Sequence, residues 1–441
     1  MSKKLFIKSL FLTIIINVIV KPLGVLVEIF TQEKIGHSEW GTYAALLSFG
    51  TVFIFINELG FTPLLTKIIA NKKEKLETTS NEMLSLRIIT ALFFPVFLVS
   101  IGYCIGYREH ELFLLTLISG IHVFAQFVYF FRAGLQGKQA FKKDAILQLV
   151  EKSAFVIFIS IFLFLDTITI EFFIFIRIST LLIFCILLIH TCRSLGLFKT
   201  FSFSFKNIQS IWKMGLPFIF ITALTSINEK IDQVMLERIY SSYETGLYNA
   251  AYRILDAALM FLWIILPMFF SKFADVDTPK QDKEILLKRG ILIFALPLLL
   301  ISFGSLHFGH FLFSTFEIEN GRVYITTIFQ ILCLSLSIHG LFAILGVYLL
   351  SNGHATTVNY SILLSIVINV ILNAIFIPTY GAIAAAWATA ASTLVFNFAY
   401  LIIIKLKADI KIPWGLISFL FCIICVYAYL VMGIEGLKTS H

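Results

Sequence analysis

The sequence predicts an all-α protein threaded many times through a membrane, with about 12–14 transmembrane helices, and three observations lead there. The 441 residues are 59% hydrophobic and only 14% charged, whereas soluble chains carry about 25% charged residues. Apolar runs of roughly the 20 residues needed to cross a hydrocarbon core recur between short polar breaks. The lysines and arginines collect in alternate breaks, as positively charged loops do when they stay in the cytoplasm. Lipid offers no water to unpaired backbone groups, so each run must be a helix. A transmembrane barrel would show alternating segments of about ten residues, a pattern absent from this sequence.

Taken in order, Lys3, Lys4 and Lys8 precede a first apolar run that continues to about Phe30 without a small-residue cleavage site. It reads as an uncleaved first span with the N-terminus in the cytoplasm. Spans are expected near 5–30, 42–66, 84–107, 111–135, 145–165 and 170–192, then near 210–236, 245–271, 289–308, 323–350, 357–377 and 381–404, with a thirteenth near 414–433. With this register one side holds 21 Lys and Arg, and the other only Lys34, Arg108, Arg238, Arg322 and Lys438. A misplaced span would scramble that asymmetry.

Sliding the chain over itself by 205 residues sets SEWGTYAAL on YETGLYNAA. Glu39 meets Glu244, Gly41 meets Gly246, Tyr43 meets Tyr248, Ala45 meets Ala250, and later Lys67 meets Lys272. Both copies lie in the outer hairpin between the first two spans of their half. Six spans separate them, so the halves share an orientation and an axis along the membrane normal. The expected organisation is a six-helix lobe over 1–205, a second over 206–405 and an additional helix and tail over 406–441. Two such lobes facing one another imply a central cavity.

Composition also excludes several classes. The formal charge of +8 is spread over short loops, which is a topological pattern and excludes a nucleic-acid-binding face. The six cysteines sit in or beside apolar runs, and Cys422 and Cys425 lack the second pair a metal site needs. No metal and no cofactor is expected.

Polar residues inside the spans are costly and mark function. Thr13, Asn17, Lys21, Gly24 and Glu28 share one face of the first span, and Thr222, Ser226, Glu229 and Asp232 share one face of the seventh. Asn249, Arg253 and Asp256 make a third stripe. Ser361, Ser365, Asn369 and Asn373 make a fourth at i, i+4 spacing, expected mainly to glue helices together. Arg253 and Asp256 lie roughly 12–16 Å inside the outer boundary; they are candidates for substrate or ion contact, with an i, i+3 structural pair as the alternative. Lys21 and Arg177 are deep and point to a cavity role. Glu28 and Lys230 are near outer ends, where snorkelling competes. Arg87, Arg132 and Lys152 lie near cytoplasmic ends, where snorkelling or positive-inside placement is the leading expectation. The candidate set for an anionic substrate is Lys21, Arg87, Arg132, Arg177, Lys230 and Arg253. Asp232, Asp256 and Glu28 are the candidates for a coupling cation. Pro22, Pro95, Pro217, Pro267 and Pro297 stand inside spans as candidate bends.

The stretches DQVMLERIYSSYETGLYNAAYRI (Asp232 to Ile254) and NVILNAIFIPTYGAIAAAWAT (Asn369 to Thr389), with SEWGTYAALLSF and the following ELGF, carry a resemblance. They are similar to the polysaccharide-transport branch of the multidrug/oligosaccharidyl-lipid/polysaccharide exporter superfamily, which includes the O-antigen flippases. The likeness covers residues 1 to about 405. It implies two six-helix lobes of the MATE-like kind around a central cavity in a bacterial inner membrane. It implies an oligosaccharide on a polyprenyl pyrophosphate carrier as substrate, and a polysaccharide polymerase and export machinery as partners. Family members carry 12 or 14 helices, and the thirteen spans counted here depart from that.

A wet, cationic cavity is also what physics requires for moving sugars and pyrophosphate through lipid. Two alternatives stand beside this reading. Export of cationic drugs calls for a carboxylate-dominated cavity, against the basic excess here. A membrane glycosyltransferase would use Asp275-Val276-Asp277 as a D-x-D metal site, but the loop over about 272–288 is too short for the soluble domain such chemistry occupies.

Overall fold

The computed structural model describes residues 20–70, 76–200, 205–275, 277–314, 321–407 and 410–439. Among these the chain forms helices and no strands. In order they are α1 (Lys21–Ile35), α2 (His37–Val52), α3 (Ile54–Glu58), α4 (Phe61–Ala70), α5 (Leu76–Ile105), α6 (Glu109–Gly137), α7 (Phe141–Phe164), α8 (Ile170–Ser194), α9 (Phe205–Ile239), α10 (Ser242–Ala274), α11 (Lys280–Leu312), α12 (Gly321–Ser351), α13 (Ala355–Lys407) and α14 (Trp414–Thr439). The expected spans overlap these helices, with 42–66 running across α2, α3 and α4 and with 357–377 and 381–404 sharing α13; residues 5–19 of the first span, Thr13 and Asn17 among them, lie outside the described residues. Among the described residues, eight helices are long and apolar enough to cross a membrane, or nine if the bent α2 to α4 run counts as one span.

The 205-residue repeat reappears as helix placement: α2 begins at His37 and α10 at Ser242, so the two starts are 205 apart. Contacts divide the chain into two compact units, residues 1–231 and 232–441.

In the first unit the second span is broken. Helical runs through His37–Val52 and Ile54–Thr66 meet at 49°, and the backbone turns left-handed at Leu59 (φ 44°) and Gly60 (φ 70°). A break at this depth frees a carbonyl at one helix end and an amide at the next start, and lipid solvates neither. Charged side chains take both. The Asn57 carbonyl accepts from the Arg87 guanidinium and from the Thr90 hydroxyl at 3.3 Å. The Glu58 carboxylate accepts the Thr62 amide at 2.9 Å and lies 3.9 Å from Arg87 Nη1. Arg87 also stands over the Phe127 ring, 5.4 Å from its centroid.

Snorkelling therefore does not describe Arg87, which is wholly enclosed at 0% exposure. Nor does it describe Arg132. Its Nε donates to Asp144 Oδ1 at 2.6 Å and its Nη2 to Oδ2 at 3.3 Å and to Gln148 at 3.2 Å. That fork ties the end of α6 to the start of α7, which explains why an arginine and not a lysine stands there. Lys152 pairs with its neighbour Glu151 at 2.8 Å.

In the second unit α13 would be about 80 Å long if straight, more than twice a hydrocarbon core. It folds back instead, leaving helical geometry at Gly381 (φ 56°, ψ −133°). Ser365 donates to the Ser392 carbonyl at 3.0 Å across the resulting hairpin. Glu244, in the first turn of α10, secures the bend by accepting from the Ala382 amide at 2.7 Å and the Tyr324 hydroxyl at 2.6 Å. A Cβ at position 381 would meet Glu244 Oε2 at 2.5 Å.

Two outcomes follow for thermal unfolding in detergent. Arg87→Ala removes one partner of an enclosed ion pair and is expected to destabilise by about 3–5 kcal/mol. Gly381→Ala combines the Glu244 clash with a backbone that side chains avoid, for an expected loss of about 1–3 kcal/mol.

Candidate functional site

The second unit encloses a carboxylate among neutral donors. Asp232, near the end of α9, is 2% exposed. Asn373 Nδ2 donates to its Oδ1 at 2.7 Å, while the Tyr248 hydroxyl at 3.1 Å and the Thr389 hydroxyl donate to Oδ2. Behind this shell Asn369 Oδ1 accepts from Asn373 at 3.0 Å. Asn369 Nδ2 reaches the Ser392 hydroxyl at 3.5 Å. Beside it Asn249 donates to Gln233 at 3.1 Å.

Three helices build this cluster because their sequences place polar groups one turn apart. Ser361, Ser365, Asn369 and Asn373 are all buried on one stripe of α13. The expected gluing role holds, since Ser365 and Asn369 bond the returning half of the hairpin. Asn373 extends the stripe to Asp232, which the spacing alone did not foretell. Tyr248 comes from the second turn of α10 and Thr389 from the far side of the bend. The groups that donate to the carboxylate, two hydroxyls and the Asn373 amide nitrogen, are all uncharged. Such a donor set suits a proton or a hard cation.

Arg253, one turn and a half after Tyr248 on α10, is buried, and its Nε contacts the Asn249 carbonyl at 3.5 Å. Asp256 is half-buried on the same helix. In the first unit Arg177 is half-buried on α8 and lies 4.3 Å over the Phe155 ring. That ring packs against Phe173, which meets Trp40 and Tyr43 edge-on at 5.2 and 5.5 Å. Arg177 thus rests on a rigid aromatic stack, and among the described residues it has no carboxylate within ion-pair distance. Glu28 and Lys230 are half-buried on α1 and α9. Lys21 opens α1, and its side chain lies outside the described residues.

Asp275 of the D-x-D caps α10. The Asp277 amide at 3.1 Å and the Thr278 hydroxyl at 2.8 Å donate to its carboxylate. These bonds, the hydroxyl first, hold the exposed acid below the usual carboxylate pKa. The motif is an Asx-type turn. Among the described residues no group of three or more His, Cys, Asp and Glu could hold a metal.

Solved structures share this architecture. The chain is similar to the lipid II flippase MurJ in an inward closed conformation, at 15% identity and a TM-score of 0.69, covering 97% of this chain and 99% of that one. It is similar to an inward-facing multidrug resistance MATE family transporter, at 13% identity and 0.68, covering 90% and 94%. A transporter of the same superfamily from Pyrococcus furiosus matches at 12% and 0.62, covering 91% and 96%. No curated protein sequence matches.

The fold is that of a multi-pass helical membrane protein, shared with these solved structures. Residues 6–270 match the family described as polysaccharide biosynthesis protein, and the chain belongs to it.

Thr389→Val keeps the shape but removes one donor to an enclosed carboxylate. The expected cost is about 1.5–3 kcal/mol in detergent unfolding, and equal stability of variant and wild type would show that this bond does not matter to the fold.

Proposed function

We propose that this transporter moves a polyprenyl-pyrophosphate-linked oligosaccharide from the cytoplasmic to the outer leaflet of the bacterial inner membrane, for O-antigen, capsule or exopolysaccharide synthesis. The observation that carries the reading is Arg253, a guanidinium buried within an apolar span of a chain whose family is that of polysaccharide biosynthesis. Charged side chains within spans are rare and mark substrate or ion pathways. The fold likeness to a protein described as a lipid II flippase supports the same choice.

Arg87 and Arg132 spend their hydrogen bonds on Asn57 and Asp144 inside the fold. Lys21, Arg177, Lys230 and Arg253 are the groups proposed to receive pyrophosphate or acidic sugar. Transport proceeds by alternating access of two six-helix lobes, 1–205 and 206–405, with 406–441 as an appended helix. Asp232 takes the coupling cation, a proton or a sodium ion, with Asp256 and Glu28 as secondary candidates. Filling the carboxylate neutralises it and lets the surrounding hydrogen bonds rearrange. The polymerase and export machinery act on the delivered product.

In a host whose own flippase is deleted, Arg253→Ala at matched protein level should lower surface polysaccharide by about tenfold or more, the worth of one charge-assisted contact. Export equal to wild type would remove Arg253 from the mechanism. Efflux of a cationic dye with no effect on polysaccharide would instead establish the multidrug reading, which the likeness to a MATE transporter keeps in play.

The cation assignment has its own test. Sodium, or acidification, is expected to raise the unfolding temperature of purified wild type relative to choline at neutral pH. Asp232→Asn should lose that response. A response that survives the substitution would transfer the role to another carboxylate.

A further inference from the structure

Where α7 begins and α8 ends, Lys143, Ile146, Leu147, His190, Thr191 and Ser194 line a cleft of about 290 Å³. We propose that this cleft seats the phosphate of an anionic phospholipid of the surrounding membrane, independently of the transport site.

The charge facing the cleft is of one sign. Lys143 and His190 are both exposed there, and no carboxylate is among the lining residues. The nearest acid in sequence, Asp144, is buried and consumed by Arg132 and by Gln136, which donates to it at 3.0 Å. An ammonium and an imidazole N–H are both donors, and no carboxylate lines the cleft to pair with them. The Thr191 and Ser194 hydroxyls donate to the Leu187 and Thr191 carbonyls at 2.8 Å, and being uncharged they do not neutralise a cation. Recognition of the phosphate falls to the two basic side chains.

Below the polar mouth the surface is that of a lipid seat. Ile146 and Val150 continue the Lys143 face of α7, and Ile183, Ile186 and Leu187 continue the His190 face of α8; all are exposed. From Ser194 to Ile183 the track runs about 16 Å, close to the hydrocarbon depth of one leaflet, about 15 Å. A free phosphate would use the mouth alone, whereas a phospholipid fills mouth and track together. The start of α7, the end of α8 and the segments beside them carry Lys142, Arg193, Lys138 and Lys199. This is the side that the charge asymmetry assigns to the cytoplasm, where anionic lipids attract basic segments.

Native mass spectrometry of the purified full chain, exchanged into mixtures of phosphatidylglycerol and phosphatidylcholine, tests the assignment. Wild type should retain phosphatidylglycerol selectively. Lys143→Gln should weaken retention about fivefold, the worth of one interfacial basic group, and the double variant with His190→Gln further. The pair Lys288→Gln and His307→Gln removes the same groups elsewhere and should retain lipid as wild type does. Because Lys143 and His190 are exposed, the single variants remain informative if the double variant expresses poorly. Equal retention by wild type and the Lys143 and His190 variants, or equal retention of phosphatidylcholine, would overturn the proposal. So would full competition by millimolar inorganic phosphate, which would make the cleft a site for the free anion.

Discussion

Inside a bilayer every polar group must find its partner within the protein, and this chain is organised around that requirement. Regular helices meet it for the backbone at no further cost. Wherever the chain leaves a regular helix, it must supply charged or amide side chains instead. The bent second span is closed by Arg87 and Glu58, which bond the freed carbonyl of Asn57 and the freed amide of Thr62. The return of α13 at Gly381 is closed by Glu244, which bonds the exposed amide of Ala382. In the first case a residue that a hydropathy scan marks as an intruder is the reason the backbone can break.

The two halves share helix placement but not chemistry. The starts of α2 and α10 are 205 residues apart, and Tyr43 and Tyr248 are both buried in their second turns. Tyr248 bonds Asp232, yet the position 205 before Asp232 is Val27. The Arg87, Glu58 and Asn57 group likewise has only Leu292, Trp263 and Leu262 at its counterparts. Each unit thus encloses a polar cluster that has no counterpart at the repeat-related positions of the other. The first is self-compensating, a base beside an acid. The second is a lone acid among neutral donors, which is the arrangement able to accept a cation.

Charged residues inside spans thus sort by the partners that hold them. Arg132 is fork-bonded to Asp144 and tightens a hairpin. Arg177 is held by an aromatic stack of Phe155, Phe173, Trp40 and Tyr43, which leaves its guanidinium directed by packing while its hydrogen-bonding groups stay available. Membrane helices gain little from a hydrophobic drive between them, so such specific contacts carry much of the definition of the fold.

Hydropathy was sufficient to locate the eight described helices long and apolar enough to cross a membrane, because the bilayer imposes length and polarity on each segment separately. The repeat was legible for the same reason, since it is written in local motifs. The stripe ending at Asn373 and the oddity of Asp232 were visible as spacing. Their union with Tyr248 and Thr389 was not, because Asn373 and Thr389 stand 141 and 157 residues from Asp232 along the chain and periodicity carries no information across helices. The same limit hid the true state of Arg87. Its position near a span end read as a route to water, and only tertiary packing, which put Asn57, Glu58 and Phe127 around it, decided that the guanidinium is sealed inside the protein.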